Sequence, residues 1–318
     1  MILIYTCVFF VSFAVLIFSS WILIKSLSRV AKFLGWKEFV VAFFTMALAG
    51  SLPNLSVGIS SVLHNIPKLS FSEIVGGNII HLTMAIALAA LISKNGLSLS
   101  SRVVQGSAVF TLGAAILPLV LVFDGKLSRT DGLLLILVFV IYIGWLFSKK
   151  ERFSKEYNNI KSRIKVKTFF INLLIILGAV LMLFLAAEGI VRSATFFSNI
   201  LNLPIVLIGI FVVGLGNAMP EICFAVQAAR KGQDWMVVGN LMGAVIFPVT
   251  LVLGLVALIS PIEISDFSPF VIARIFLIIS AVFFLLFLRT GKKISKKEAF
   301  FLLSVYLLFV LAEVLFSI

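Results

Sequence analysis

Ala49-Gly50-Ser51-Leu52-Pro53-Asn54 and Gly216-Asn217-Ala218-Met219-Pro220-Glu221 are two similar segments, each inside a hydrophobic run, with their prolines 167 residues apart. Proline inside a helix removes a backbone donor and frees a carbonyl group. At membrane depth such a break is tolerated only where the backbone is enclosed by protein or lines a wet cavity. Interrupted hydrophobic segments in corresponding halves of a chain point to the binding site of a transporter. Only the second copy carries a carboxylate, Glu221, where the first has Asn54.

The rest of the chain fits that setting. Of 318 residues, 62% are hydrophobic and 12% charged, and the mean hydropathy is +1.22. This composition excludes a soluble domain and indicates an all-α polytopic membrane protein. The 32 phenylalanines suit helix faces turned to lipid. The net charge of +13 resides in short loops between apolar runs, where it reads as an orientation signal and not as a nucleic-acid surface. Cys7 and Cys223 have neither disulfide nor metal-site spacing and are expected to be small buried residues. The N-terminus lacks a basic leader region and a small-residue cleavage site, so residues 3–24 read as a retained first helix.

A span needs about 20 apolar residues. Ten are expected: 3–24, 37–63, 72–93, 103–123, 130–148, 168–191, 203–229, 235–260, 268–288 and 298–317. The connections after the odd-numbered spans, with Lys37 at the edge of the second span, hold 21 of the 26 lysines and arginines. Positive charge is retained in the cytoplasm. The 149–167 connection, with eight basic residues, is therefore expected inside, both termini outside, and the plasma membrane is the expected location. An offset of 167 also aligns Leu91-Ile92-Ser93 with Leu258-Ile259-Ser260. Residues 1–148 and 168–318 then form two repeats of five helices, and an odd number makes the second repeat inverted, as in secondary transporters.

These residues resemble the sodium/calcium exchanger family, within the cation/calcium antiporter superfamily, over essentially the whole chain. That family has a Gly-Thr-Ser-Leu-Pro-Glu-like turn in one helix of each half and a Gly-Ser-Asn stretch in the next. Ser51-Leu52-Pro53 and Pro220-Glu221 match the turn; Gly76-Gly77-Asn78-Ile79-Ile80-His81 and Gly239-Asn240-Leu241-Met242-Gly243-Ala244 match the second element. Asp124-Gly125, Asp131-Gly132 and Ala187-Glu188 are also similar to the family's pattern. The resemblance implies a cation antiporter working by alternating access, in which the two packed halves move against the long first and sixth helices. Na⁺, Ca²⁺, K⁺ or H⁺ would be substrates, with no further cofactor.

The departures fall where the family binds ions. Its first-half glutamate is Asn54 here, and its following serine and asparagine fall on Gly77 and His81. In the second half its serine position is Ala244 and its acidic or amide position Pro248; its threonine-like positions are Gly50 and Asn217. The expected pathway residues are Glu221, Asn54, His81, Ser51, Asn78, Asn217, Gly50 and Gly77, with Glu221 and Asn54 the foremost metal-facing groups. Ca²⁺ prefers six to eight oxygens, usually with more than one carboxylate. With Glu221 as the one matched mid-span acid, electrostatics argue against a calcium site like the family's and toward monovalent-cation or proton coupling. His81 titrates in the working range and would share a proton or cation with Glu221. The alternative for His81 is a bond to a helix carbonyl or Asn54 in a site that carries nothing, and for the whole chain a non-transporting relative with a structural or partner-binding role.

Blander readings attach to the remaining features. Gly76, Gly77, Gly239 and Gly243 are expected to allow close helix packing. Glu188 and Arg192, one turn apart, are expected to pair near the outer surface. Glu73 and Glu313 are placed at interfaces and His64 in water at a span end. No nucleotide loop, metalloprotease motif or nucleophile elbow occurs, which argues against an enzyme.

Overall fold

In the computed structural model the described residues are 1–33, 49–98, 102–148, 166–264, 268–291 and 293–317. The chain is nearly all helical. α1 is Ile2–Phe33 and α2 Ala49–Leu63; α3 runs Lys68–Ile92, α4 Arg102–Leu121 and α5 Arg129–Ser148. In the second part α6 is Val166–Leu201, α7 Ile205–Arg230, α9 Ser268–Thr290 and α10 Lys296–Ser317. Between them α8 is Asp234–Phe247 with its continuation to Ile259. Nine helices among the described residues are long and apolar enough to cross a membrane. The exception is α2, with 15 described residues; the first part of the expected second span lies outside the described residues, as does nearly all of the 149–167 connection.

Most expected spans match their helices to within a turn, but α1 and α6 are longer than expected. They have 32 and 36 residues, running nine and ten residues past the expected ends at 24 and 191. Counting apolar residues finds the part of a helix that crosses lipid, whereas hydrogen bonding continues into the polar flanks. The two long helices pack on each other through Phe9, Phe13, Leu16, Leu183, Ala187 and Ile190.

Three helices form the interior. About 83% of the apolar window of α3 and 78% of that of α8 are enclosed by protein, and 61% of that of α7, against 22% for α5 and α6. The outer helices direct large side chains away from the core, among them Leu174, Leu177, Leu181 and Leu185 of α6. In a membrane these contact lipid, which is as apolar as the core. The same logic corrects the expectation for Cys7 and Cys223: both are free and exposed, because their helix faces are apolar for lipid and not for burial.

The offset of 167 is written into the backbone. A π-helical segment interrupts α3 at His81–Ala85 and α8 at Pro248–Val252. The helices then resume as Ile86–Ile92 and Leu253–Ile259, at the same offset. In each, a threonine hydroxyl donates to the carbonyl four residues earlier, Thr83 to Ile79 and Thr250 to Ile246. Such back-bonding competes with the regular ladder. A third π segment, Ile208–Val213, lies in α7.

Pro53 and Pro220 were expected to break their helices; both instead lie inside continuous α-helix. Their missing N–H still deprives the carbonyls of Ala49 and Gly216 of their usual donors. The irregular backbone is displaced to the π segments, where single-turn bulges commonly mark functional sites.

Two short antiparallel ladders tie the parts together. β1 (Leu97–Ser98) pairs with β4 (Lys293–Ile294), and β2 (Lys126–Leu127) with β3 (Ile262–Glu263). Each ladder joins the first half of the chain to the second. Gly96 turns into β1 with φ of 75°, and a Cβ there would lie 2.3 Å from the Ile294 carbonyl oxygen, so only glycine fits.

Candidate functional site

Where α2, α3, α7 and α8 meet they enclose a cavity of ≈ 10 Å³. That is close to the space one water-sized particle occupies. Its wall contains Gly50, Ser51 and Asn54 of α2; Glu73, Ile74, Gly77, Asn78 and His81 of α3; Gly214, Asn217, Ala218 and Glu221 of α7; and Ala244 and Pro248 of α8. All eight expected pathway residues are thus brought together.

The meeting is made by small residues. A Cβ on Gly76 would sit 2.2 Å from the Ile210 carbonyl oxygen, and one on Gly214 would sit 3.1 Å from the Gly77 nitrogen. α3 and α7 therefore cross backbone to backbone, as small residues permit in membranes. Gly76 fulfils its expected packing role. Gly77 shares that crossing through its backbone, while a Cβ on it would meet its nearest neighbours only at 3.9 and 4.0 Å on the cavity side; nothing lies within 4 Å of a Cβ on Gly239.

The crossing brings Asn217 of α7 to Glu73 of α3, and the Asn217 amide Nδ2 donates to Glu73 Oε2. Glu221 reaches toward α2: a Cβ on Gly50 would lie 3.4 Å from Glu221 Oε1. Glu73, Asn78, His81, Asn217 and Glu221 are all buried. Among the described residues, Glu73 Oε1, Asn78 Nδ2, Asn217 Oδ1, Glu221 Oε2 and both ring nitrogens of His81 have no hydrogen-bond partner. Proteins rarely leave buried polar atoms unpaired, so a concentration of them marks a place where something binds. Among the described residues His81 does not bond a helix carbonyl or Asn54. Among the described residues no lysine or arginine lines the cavity. Ionised carboxylates buried without a partner are costly, so a cation or a proton must neutralise them.

Glu73 corrects the sequence reading, which placed it at an interface and counted Glu221 as the lone acid. α3 begins at Lys68, four residues before the expected start, so Glu73 lies a turn deeper than its distance from the expected span end suggested. The offset held a further signal: Asn54 maps onto Glu221, and Glu73 maps onto Asn240. Glu313 is likewise buried within the protein. Among the described residues no three His, Cys, Asp or Glu side chains gather to hold a metal by themselves. A bound ion would complete its shell with amide, hydroxyl and backbone oxygens.

A second polar cluster lies apart from the cavity. Arg192 Nε donates to Glu188 Oε1 at 2.7 Å, as expected, and Ser60 Oγ donates to Glu188 Oε2 at 2.8 Å. His64, exposed as expected, places Nε2 3.1 Å from Glu188 Oε1. The cluster bridges α2 to α6.

Comparison with known proteins agrees with this architecture. The family model described as "Sodium/calcium exchanger protein" matches residues 4–148 and 171–315. Inner membrane protein YrbG of Escherichia coli (strain K12) is 25% identical over 292 residues, covering 88% of each chain. Sodium/calcium exchanger MaX1 of Methanosarcina acetivorans is 25% identical over 323 residues, covering 90% of this chain and 91% of that one. Among solved structures, the H⁺/Ca²⁺ exchanger CAX aligns with a TM-score of 0.77 at 18% identity, over 98% of this chain and 82% of that one. At that identity the likeness concerns the fold.

Proposed function

Because the chain belongs to the sodium/calcium exchanger family, we propose that it is a secondary active cation antiporter in which Glu221 binds the transported ion. The observation that carries this reading is the enclosed, unpartnered carboxylate oxygen of Glu221 in a cavity walled by both halves of the chain. A cation entering from one side neutralises it; an ion or proton from the other side competes for the same group. Residues 1–148 and 168–318 act as the two inverted repeats. The 149–167 connection faces the cytoplasm, with the termini outside and the plasma membrane as the location.

Alternating access supplies the route. The four helices around the cavity form one packed body, and the paired α1 and α6 form the other. Sliding of one against the other exposes the cavity to each side in turn. His81, with both ring nitrogens unpartnered in the cavity wall, is placed to exchange a proton as the ion enters or leaves. Glu73 in the wall adds a second carboxylate to Glu221, and two carboxylates are compatible with calcium.

Cation-gradient-driven Ca²⁺, Na⁺ and K⁺ fluxes in liposomes, compared for the unaltered protein and Glu221→Gln, test the reading. Breaking a buried ionic interaction typically costs 3–5 kcal/mol, so flux should drop by about 100-fold or more. Equal, measurable flux would remove Glu221 from the mechanism, and no flux from the unaltered protein would favour the non-transporting alternative.

A further inference from the structure

We infer that Glu73, oriented by Asn217, is the first half's charged cation ligand and takes over the role that Asn54 cannot fill. This deepens the proposed function and rests on it.

The two halves supply their charge from different helices. Across the offset of 167 residues, the position on α2 and α7 is filled by Asn54 and Glu221, and the position on α3 and α8 by Glu73 and Asn240. Each half thus carries one carboxylate and one amide at this pair of positions, with the order reversed. The charge missing from α2 is present on α3, eight residues before His81, on the same wall of the cavity.

The surroundings of Glu73 fit an ion ligand better than a structural tie. Asn217 donates to Oε2, which fixes the carboxylate, while Glu73 Oε1 and Asn217 Oδ1 have no hydrogen-bond partner among the described residues. With Glu221 Oε2 they make three buried, unpartnered acceptor oxygens around one small space. The same wall also holds the unpartnered Asn78 Nδ2 and the His81 ring, but two of the three acceptors are carboxylate oxygens, which suit a cation. The cavity of ≈ 10 Å³ has room for one bare particle and not for a hydrated ion. One particle in a space lined by two glutamates, with no lysine or arginine in the wall among the described residues, is best matched by a divalent charge. The remaining ligands come from the Asn217 amide oxygen and the uncharged oxygens nearby, as oxygen-seeking divalent ions accept.

Titration calorimetry of the full chain in detergent, with Ca²⁺ and separately with Na⁺, tests this. Glu73→Gln keeps an acceptor for Asn217 and removes only the charge. Expected are a loss of Ca²⁺ affinity of at least 100-fold in Glu73→Gln and in Glu221→Gln, and recovery of at least tenfold when Asn54→Glu is added to Glu73→Gln. Ca²⁺ affinity within threefold of the unaltered protein in Glu73→Gln, with Glu221→Gln still defective, overturns the role of Glu73 and leaves the antiporter reading standing. An unaltered protein that ignores Ca²⁺ but carries Na⁺ or protons through Glu221 has the same meaning. Ion flux indifferent to both carboxylates overturns both readings. If Glu73→Gln does not fold, carbodiimide labelling of the unaltered protein decides: Ca²⁺ should shield Glu73 along with Glu221, and labelling of Glu73 unchanged by Ca²⁺ overturns the inference.

Discussion

His81 is an imidazole enclosed by protein, with neither ring nitrogen bonded among the described residues, in the wall that also holds Glu73 and Glu221. A proton on that ring adds positive charge to the space proposed for a cation. Transport should therefore decline as the medium is acidified, and part of that decline belongs to His81. His81→Asn should keep flux near neutral pH and raise it on the acid side of the profile, read from liposome flux against pH. An unchanged profile would give the whole decline to the carboxylates. At this scale the sequence was partly legible. The family-matched positions led to Asn54, His81, Asn78 and Glu221, all of which line one cavity. Glu73 escaped because its depth depends on where α3 starts, and apolar composition blurs a helix end that begins at Lys68.

Two contacts between helices differ in what they are worth. α3 and α7 cross at Gly76, where an added methyl would drive into the Ile210 carbonyl at 2.2 Å. Overpacking a close contact usually costs 1–3 kcal/mol, so Gly76→Ala should lower the melting temperature by several degrees and also depress flux, since the crossing positions Glu73 beside Asn217. Unchanged melting and flux would show that the crossing yields easily. The Glu188 cluster between α2 and α6 is about one-third exposed. Exposed ion pairs contribute about 0–1 kcal/mol, so Glu188→Gln should shift melting by only a few degrees at most. A large shift would mean the cluster holds the two bodies together more firmly than its exposure allows. Of the elements themselves, the spans were legible because lipid demands long apolar runs. The π segments were not: two of them coincide with Thr83, Thr250 and Pro248, which bear on backbone hydrogen bonds that hydropathy does not register.

At the scale of the molecule, the offset of 167 appears in the prolines, the π segments and the start points of α5 and α10. The two ladders cross-connect the halves, β1 with β4 and β2 with β3. They were invisible in the sequence because two-residue strands carry no periodicity. The orientation rests on charge: 21 of 26 basic residues fall on the side assigned to the cytoplasm. In a variant lacking Cys7 and Cys223, Asn158→Cys should react with an impermeant thiol reagent in inside-out vesicles and stay unlabelled in right-side-out ones. The reverse pattern would invert the topology.

The central claim is that a cation sits between the halves, against the carboxylates of Glu221 and Glu73. An anomalous-difference map of crystals grown with Sr²⁺, and of others with Rb⁺, addresses it directly. The account predicts one strong Sr²⁺ peak in the cavity, at roughly 2.3–2.8 Å from an oxygen of each carboxylate, allowing slightly longer contacts than calcium's. A cavity without a peak for either ion at saturating concentration, or a peak bound only outside the four-helix crossing, would contradict it.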